Sequence, residues 1–373
     1  MIDAIETPAL LLETAHLDRN LARMQRRAEA LGVRLRPHAK THKCLQIVRR
    51  QLALGAQGIT VSTLKEADFF HAAGVDDILY AVGIAPNKFE HAMRLARAGC
   101  RLTVLVDSVA AAVRLAAFGR ESCHRFDVMI EIDTDGHRSG VQCDDPRLLE
   151  IGAALAAEGA RLAGIMTHAG GSYDLCEPRA LEAHAERERA RCVEAAERLR
   201  AAGHPCAEVS VGSTPTALAA TSLHGVTEFR PGVYAFFDLV IAGIGVCEPR
   251  DIAISVMTSV IGHRPDRRWV LIDAGWMAMS RDRSTAAQAR DWGYGLVCDA
   301  AGAPLDSLRY VDANQEHGIL EARAPVDVER DYPIGTLLRI LPNHACATAA
   351  QFPSYVALEP GSTPERWDRV QGW

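Results

Sequence analysis

The chain has 373 residues, 48% of them hydrophobic and 24% charged, the composition of an ordinary soluble globular protein long enough for two domains. A formal net charge of -6 and a pI near 6.2 provide no basic stripe for nucleic acid, and no apolar run approaches the roughly 20 residues that span a bilayer. The start, MIDAIETPALLLE, lacks a basic region followed by a long apolar one, so a cytoplasmic protein with no membrane partner is expected.

From about Leu31 to Asp238, short β-branched runs alternate with longer Ala/Leu/Arg/Glu-rich segments, the pattern of βα units in a parallel sheet. Strands are predicted at Val33–His38, Gly58–Val61, Asp77–Val82, Leu102–Asp107, Phe126–Ile132, Leu162–His168, Glu208–Val211 and Val226–Phe236. Helices are predicted between them, at Lys43–Leu54, Leu64–Ala73, Asn87–Ala98, Val109–Phe118, Pro146–Glu158, Pro178–Ala202 and Thr214–Ala220. Eight such units in this length fit a TIM (β/α)8 barrel better than an open doubly wound sheet. After Gly245 the segments DIAISVMTSVIGHRP, RRWVLIDAGW, YGLVCDAAGAPL and TLLRILPNHAC are β-rich and broken by Gly, Pro and Asp. The expected organisation is a barrel over 12–245 and an all-β domain made of 1–11 and 246–373. The ten cysteines include no CxxC pair and are expected to be mostly reduced thiols.

Barrel enzymes carry their chemistry on the loops after the strands. Those loops hold Lys40 in RLRPHAKTHK, Arg138 in GHRSG, His168 and Tyr173 in THAGGSY, Thr214 in GSTPT, and Arg230, Gly232 and Val233 in RPGVY. GSTPT before a helix and the glycine of RPG offer backbone N–H groups to an anion, or are simply turns. His168 suits either a core histidine or a ring lying against a flat cofactor. In the β-rich part, His344 and Cys346 of NHACAT lie two residues apart. In an extended segment they leave one face, as two ligands of one metal must, and a site with only two protein ligands keeps positions open. The polar NQEHG run, Asn314 to His317, either lines the same cleft or forms a turn. Arg281 and Arg283 in MSRDRS are equally a carboxylate site or solvated loop charges.

The stretches RPHAKTHK, GITVSTLKEA, EIDTDGHRSG, THAGGSY, VGSTPTAL, RPGVYAFFD, DAGWMAMSRD, NQEHG and PNHACAT resemble the D-serine dehydratase and D-threonine aldolase family of fold-type III pyridoxal-phosphate enzymes, whose barrel plus β domain is that of alanine racemase. The resemblance implies pyridoxal 5'-phosphate bound covalently by Lys40, with Arg138 facing its phenolate oxygen and His168 near its ring. It further implies that Tyr173, Thr214, Gly232 and Val233 hold ring and phosphate, and that Arg230 approaches the pyridine nitrogen. His344 and Cys346 match the zinc pair of the dehydratases, or a pair for another divalent cation such as manganese, where the aldolases resemble them with an HxD pair. The implied activity is loss of water from a small β-hydroxy D-amino acid, 3-hydroxyaspartate or serine, with Lys40, its pKa lowered by burial and by the cofactor, as the base. D-threonine aldolase activity is the alternative, and a non-catalytic pyridoxal-phosphate carrier a remote one. Family likeness implies a homodimer or a monomer.

Overall fold

The computed structural model describes residues 4–323 and 325–373, so the first three residues of the expected β-domain segment lie outside the described residues. Strand β1 (Ala9–Glu13) leads into helix α1 (Thr14–Leu31). A run of βα units follows: β2 (Arg34–Leu35), α2 (Leu45–Ala53), β3 (Ile59–Val61), α3 (Leu64–Ala72), β4 (Asp77–Gly83), α4 (Phe89–Arg97), β5 (Arg101–Val106), α5 (Val109–Glu121), β6 (Phe126–Ile132), α6 (Arg147–Leu155), β7 (Ala160–Thr167), α7 (Pro178–Ala201), β8 (Glu208–Val211), α8 (Thr214–Ala219) and β9 (Glu228–Phe229).

These eight strands pair in the order β2-β9-β8-β7-β6-β5-β4-β3, each parallel to its neighbour. The ring closes between β2 and β3, where Gln57 N donates to Leu35 O at 2.8 Å and Thr60 N to Pro37 O at 2.9 Å. The (β/α)8 barrel is therefore present. Its strands are buried on both faces, as parallel strands under a cover of helices must be, and Leu79, Leu105, Met129 and Met166 from four adjacent strands pack together. Other interior positions are polar. Glu228 takes a hydrogen bond from Arg36 Nε (2.9 Å) and one from Ser210 Oγ (2.7 Å), and Arg230 Nε donates to that same Ser210 Oγ (2.7 Å).

The first and last barrel strands are much shorter than expected. Regular strand stops at Leu35 and Phe229, ahead of Pro37 and Pro231, although backbone bonds continue from Arg36 N to Phe229 O and from His38 N to Pro231 O, both at 3.0 Å. The chain beyond Gly232 turns into a 3-10 segment, Val233–Ala235.

The second sheet is mostly antiparallel and contains β1 with β10 (Ile254–Arg264), β11 (Trp269–Ile272), β12 (Leu296–Asp299), β13 (Leu308–Ala313), β14 (Gly318–Ala322), β15 (Leu337–Leu341), β16 (Ser354–Leu358) and β17 (Glu365–Asp368). The compact units are 22–232 with 372–373, and 4–21 with 233–371. Both divisions fall inside the boundaries expected at 12 and 245. The start of α1 is tied to the β unit by Thr14 Oγ1 donating to Leu358 O (3.1 Å) and Asn20 Nδ2 to Asp251 O (2.9 Å).

Candidate active site

At the barrel mouth, Lys40 lies in the 3-10 turn Ala39–Thr41, whose N-cap is His38, and its backbone N–H donates to His38 Nδ1 at 3.4 Å. The chain has only four lysines, Lys40, Lys43, Lys65 and Lys88. Lys43 does not open a helix as expected: its φ is 49°, α2 starts at Leu45, and its Nζ pairs with the buried Glu66 at 3.1 Å. Lys88 donates to Tyr80 Oη at 2.9 Å. Lys40 itself is exposed, not buried as expected.

His168, just past β7, is half-buried, and its Nδ1 lies 3.5 Å from Gly212 O. Burial first, then the charges of Lys40, Arg138 and Arg230, push it down to about 3. Buried His38 is held well below its usual range by desolvation and then by Lys40, Arg230 and His168. Two neutral imidazoles and three cations thus share one electrostatic neighbourhood. Tyr173 stands with its ring 6.2 Å from that of His168. Exposed Arg138 reaches Glu131 Oε1 at 3.3 Å. Arg230 is buried, held by Ser210 Oγ and by the carbonyl of Thr167.

Thr214 opens α8 directly after its cap Ser213, whose Oγ accepts from Thr216 N at 3.3 Å while Thr216 Oγ1 accepts from Ser213 N at 3.1 Å. Gly212, at φ 119°, makes the turn into that cap. A Cβ on Gly232 would meet His38 O at 2.9 Å and Thr41 Oγ1 at 3.1 Å, so only glycine lets that loop lie against the lysine turn. Val233 is the first residue of the following 3-10 turn and accepts at its carbonyl from Phe237 N (2.7 Å). An amine, a surplus of positive charge, hydroxyls and close-packed glycine backbone are the donor set of an anionic aldehyde, and these residues fit pyridoxal 5'-phosphate.

A residue the sequence did not single out organises this rim. Glu188 of α7 is buried and accepts from Ala169 N (3.2 Å) and Gly212 N (3.0 Å), joining the loops after β7 and β8. Burial raises its pKa against the pull of those bonds and of Thr216. It was illegible because it sits in EAHAERERARC among solvated charges of the same kind.

In the β unit, His344 and Cys346 are not on an extended segment. His344 is the N-cap of a short helix, Ala345–Ala349, that follows β15, and Cys346 lies in its first turn. The two side chains nevertheless hydrogen-bond. His344 Nδ1 also lies 2.7 Å from Asp282 Oδ2. Burial pulls this imidazole down, but the bonds to Asp282 and Cys346 and the charges of Cys346 and Asp238 outweigh it and lift it to about 11. Buried Asp238 accepts from Ala345 N (2.9 Å) and Ile241 N (3.0 Å). Asn343 Nδ2 donates to Asp282 O (3.1 Å) and Gly293 O (2.8 Å), tying the Asp282 loop to the motif.

Among the described residues no group of three or more His, Cys, Asp or Glu converges as a metal centre. An imidazole whose Nδ1 is fixed on a carboxylate, beside a thiol, fits a two-donor metal site with open positions, because the carboxylate orients the ring and leaves Nε2 for the ion. NQEHG is an exposed hairpin turn between β13 and β14, with Asn314 N donating to His317 O at 2.8 Å.

The model of the alanine racemase N-terminal domain matches residues 12–240, and that of a putative serine dehydratase domain matches 253–358. The chain is 58% identical over 373 residues to D-threo-3-hydroxyaspartate dehydratase of Delftia sp. (strain HT23), covering 99% of this chain and 98% of that protein. Identity to D-serine dehydratase of Dictyostelium discoideum is 32% over 380 residues, covering 95% of this chain and 93% of that one. The solved structure of the Delftia enzyme superposes with a TM-score of 0.98 over 100% of this chain and 99% of its own. Solved variants of that dehydratase include a histidine-to-alanine form and a metal-free cysteine-to-alanine form, with the two substituted residues two positions apart. D-threonine aldolase of Filomicrobium marinum is 29% identical with a TM-score of 0.83, covering 98% of this chain and 95% of its own.

Proposed function

We propose, from the premise that this chain belongs to the family of the D-threo-3-hydroxyaspartate and D-serine dehydratases, that it is a lyase removing water from a β-hydroxy D-amino acid with pyridoxal 5'-phosphate and zinc. Its substrate is D-threo-3-hydroxyaspartate, whose dehydration releases an enamine that water hydrolyses to oxaloacetate and ammonia; D-serine would give pyruvate and ammonia in the same way. The observation that carries this reading is the His344–Cys346 pair braced by Asp282, in a chain whose barrel holds Lys40 in a positive, glycine-lined mouth. The histidine-to-alanine and cysteine-to-alanine variants of the Delftia enzyme, at the same spacing, support assigning the metal to this pair.

When bound, the cofactor supplies an electron sink for the α-carbanion and the metal a Lewis acid for the departing hydroxide. The chain's own residues do the rest. Lys40 would hold the cofactor and, when its amine is free, would take the α-proton on Nζ. The neighbouring His38 and His168 are held well below the usual imidazole range, so both are weak bases and neither competes with Lys40 for the α-proton. Tyr173, Thr214, Gly232 and Val233 would hold ring and phosphate, Arg138 would serve the phenolate oxygen, and Arg230, fixed by Ser210, would serve the pyridine nitrogen. His344 and Cys346 would hold the ion, and Asp282, 2.7 Å from His344 Nδ1, would keep the imidazole oriented for it.

No helix among the described residues is long and apolar enough to cross a membrane, and a cytoplasmic protein, homodimeric or monomeric, is part of the same proposal. The test is product analysis of the protein loaded with cofactor and zinc, given D-serine, D-threonine and both 3-hydroxyaspartate diastereomers. Oxaloacetate and ammonia from the D-threo compound are expected. Glycine plus an aldehyde would replace the dehydratase by an aldolase, and no turnover of any of the four would return the carrier reading.

A further inference from the structure

The substrate proposed above carries two carboxylates, and the second sits on the same carbon as the hydroxyl that leaves. Whatever presents that hydroxyl to His344 and Cys346 therefore brings a negative charge to the same place. The groups that surround the pair are themselves acidic: Asp282 is 2.7 Å from His344 Nδ1, and Asp238 bonds the backbone N–H of Ala345 at 2.9 Å. The ion that the pair would hold is needed by the departing hydroxyl, so a fixed cation beside it would be the group that tells a substrate with this carboxylate from one without it. All four lysines belong to residues 22–232, so every fixed side-chain cation of the β unit is an arginine.

Two arginines flank Asp282, and the structure separates them. Arg283 is committed: its Nη2 is 3.0 Å from Asp291 Oδ2, a carboxylate that Arg309 also reaches at 3.6 Å, and its guanidinium lies over the Tyr294 ring at 5.2 Å. Arg281 is different. Its guanidinium lies over the Trp276 ring, 4.1 Å from the centroid, and among the described residues it has no carboxylate partner. Stacking uses the flat face of a guanidinium and leaves its in-plane N–H edge pointing outward, which is the geometry that binds a carboxylate through two parallel hydrogen bonds.

The backbone before it is set for this. Ser280 is a buried non-glycine residue at φ 73° and ψ 168°, a strained conformation, and its Oγ accepts from Asp282 N at 3.2 Å. That turn ends the short helix Trp276–Met279 and sends the chain on to Arg281 and Asp282.

We propose that Arg281, held over Trp276, is the specificity-determining residue that receives the side-chain carboxylate of the substrate. The inference rests on the dehydratase reading, and it assigns the choice between a dicarboxylic substrate and serine to one exposed side chain.

The test compares wild type with Arg281→Ala, Arg281→Lys and Arg283→Ala, each loaded with cofactor and zinc. One readout is turnover of D-threo-3-hydroxyaspartate against D-serine. The other is binding without turnover, read from the cofactor's absorbance on adding D-aspartate or D-alanine, which lack a hydroxyl to lose. Loss of a charge-assisted pair is expected to weaken D-aspartate binding, and kcat/KM for hydroxyaspartate, by roughly ten- to a hundredfold in Arg281→Ala. D-alanine binding and D-serine turnover should stay within about twofold, and Arg281→Lys should recover part of the loss. Equal losses for both substrate classes, no change in either, or the discriminating loss appearing in Arg283→Ala instead would overturn the assignment. If wild type dehydrates neither substrate, it is the dehydratase reading that has failed, and the binding ratio of D-aspartate to D-alanine still decides the role of Arg281.

Discussion

At the barrel mouth, burial and the charges of Lys40, Arg138 and Arg230 hold His168 at about 3, whereas in the β unit Asp282, Cys346 and Asp238 overcome burial and raise His344 to about 11. The same side chain is tuned in opposite directions by its neighbours. Burial is the larger cause of the depressed imidazole at the mouth, and the positive charges that add to it suit an anion such as a phosphate. A site that draws a proton onto one has negative charge in surplus and suits a metal cation. The construction differs too: the barrel site gathers residues from the ends of five strands, whereas the His344–Cys346 pair is one local motif braced by two acids.

The two regions should therefore fail in different ways. The largest effect is expected from Lys40→Ala, which removes the residue proposed both to attach the cofactor and to act as the base. Turnover should fall by at least about a thousandfold, the upper range for a positioned acid–base group, while zinc content, measured by atomic absorption, stays at the wild-type level. Retention of full turnover would break the barrel half of the comparison. Cys346→Ala should do the converse, keeping the cofactor's absorbance while lowering metal content and slowing dehydration by about a hundred- to a thousandfold.

A smaller change probes the brace rather than the ligand. Asp282→Asn is expected to weaken zinc binding by about ten- to a hundredfold in a competitive chelator titration, with cofactor affinity unchanged. Unchanged zinc affinity would remove Asp282 from the site. The smallest effect is one of pH. Because His168 has a folded-state pKa of about 3 against about 6.5 unfolded, the unfolded chain binds a proton between those values that the folded one refuses, and stability falls as pH drops through that window. His168→Gln should move the acid-unfolding midpoint, followed by circular dichroism, to lower pH, and a shift the other way would contradict the environment described for it.

Much of the barrel was legible because its strands are short apolar runs set off by helical periodicity, and all eight lie where the pattern placed them. The misjudged ends have physical causes. The last strand was drawn through Pro231 and Gly232 to Phe236 on its apolar content alone, yet Val233–Ala235 forms a 3-10 turn. Lys43 reads as a helix start until its φ of 49° and its bond to Glu66 are seen.

In the candidate site, the residues named from the sequence were those in glycine- and proline-marked loops, where composition announces a turn. The residues missed were carboxylates that act only through tertiary contact. Glu188 is one acid among many on α7, and Asp282 is distinguished from Asp291 only by the bond it makes across 62 positions to His344. The HxC spacing was read as an extended pair, whereas the motif sits where a strand gives way to a short helix, so the side chains meet by capping geometry rather than by strand alternation.

The central claim is that an acid-braced His344–Cys346 pair makes this barrel protein a metal-assisted dehydratase. Its most direct measurement follows oxaloacetate and ammonia from D-threo-3-hydroxyaspartate before chelation, after chelation and after zinc is added back. Formation of both products that is lost with the metal and restored with it is the predicted result. Dehydration that continues unchanged in the metal-free protein would contradict it.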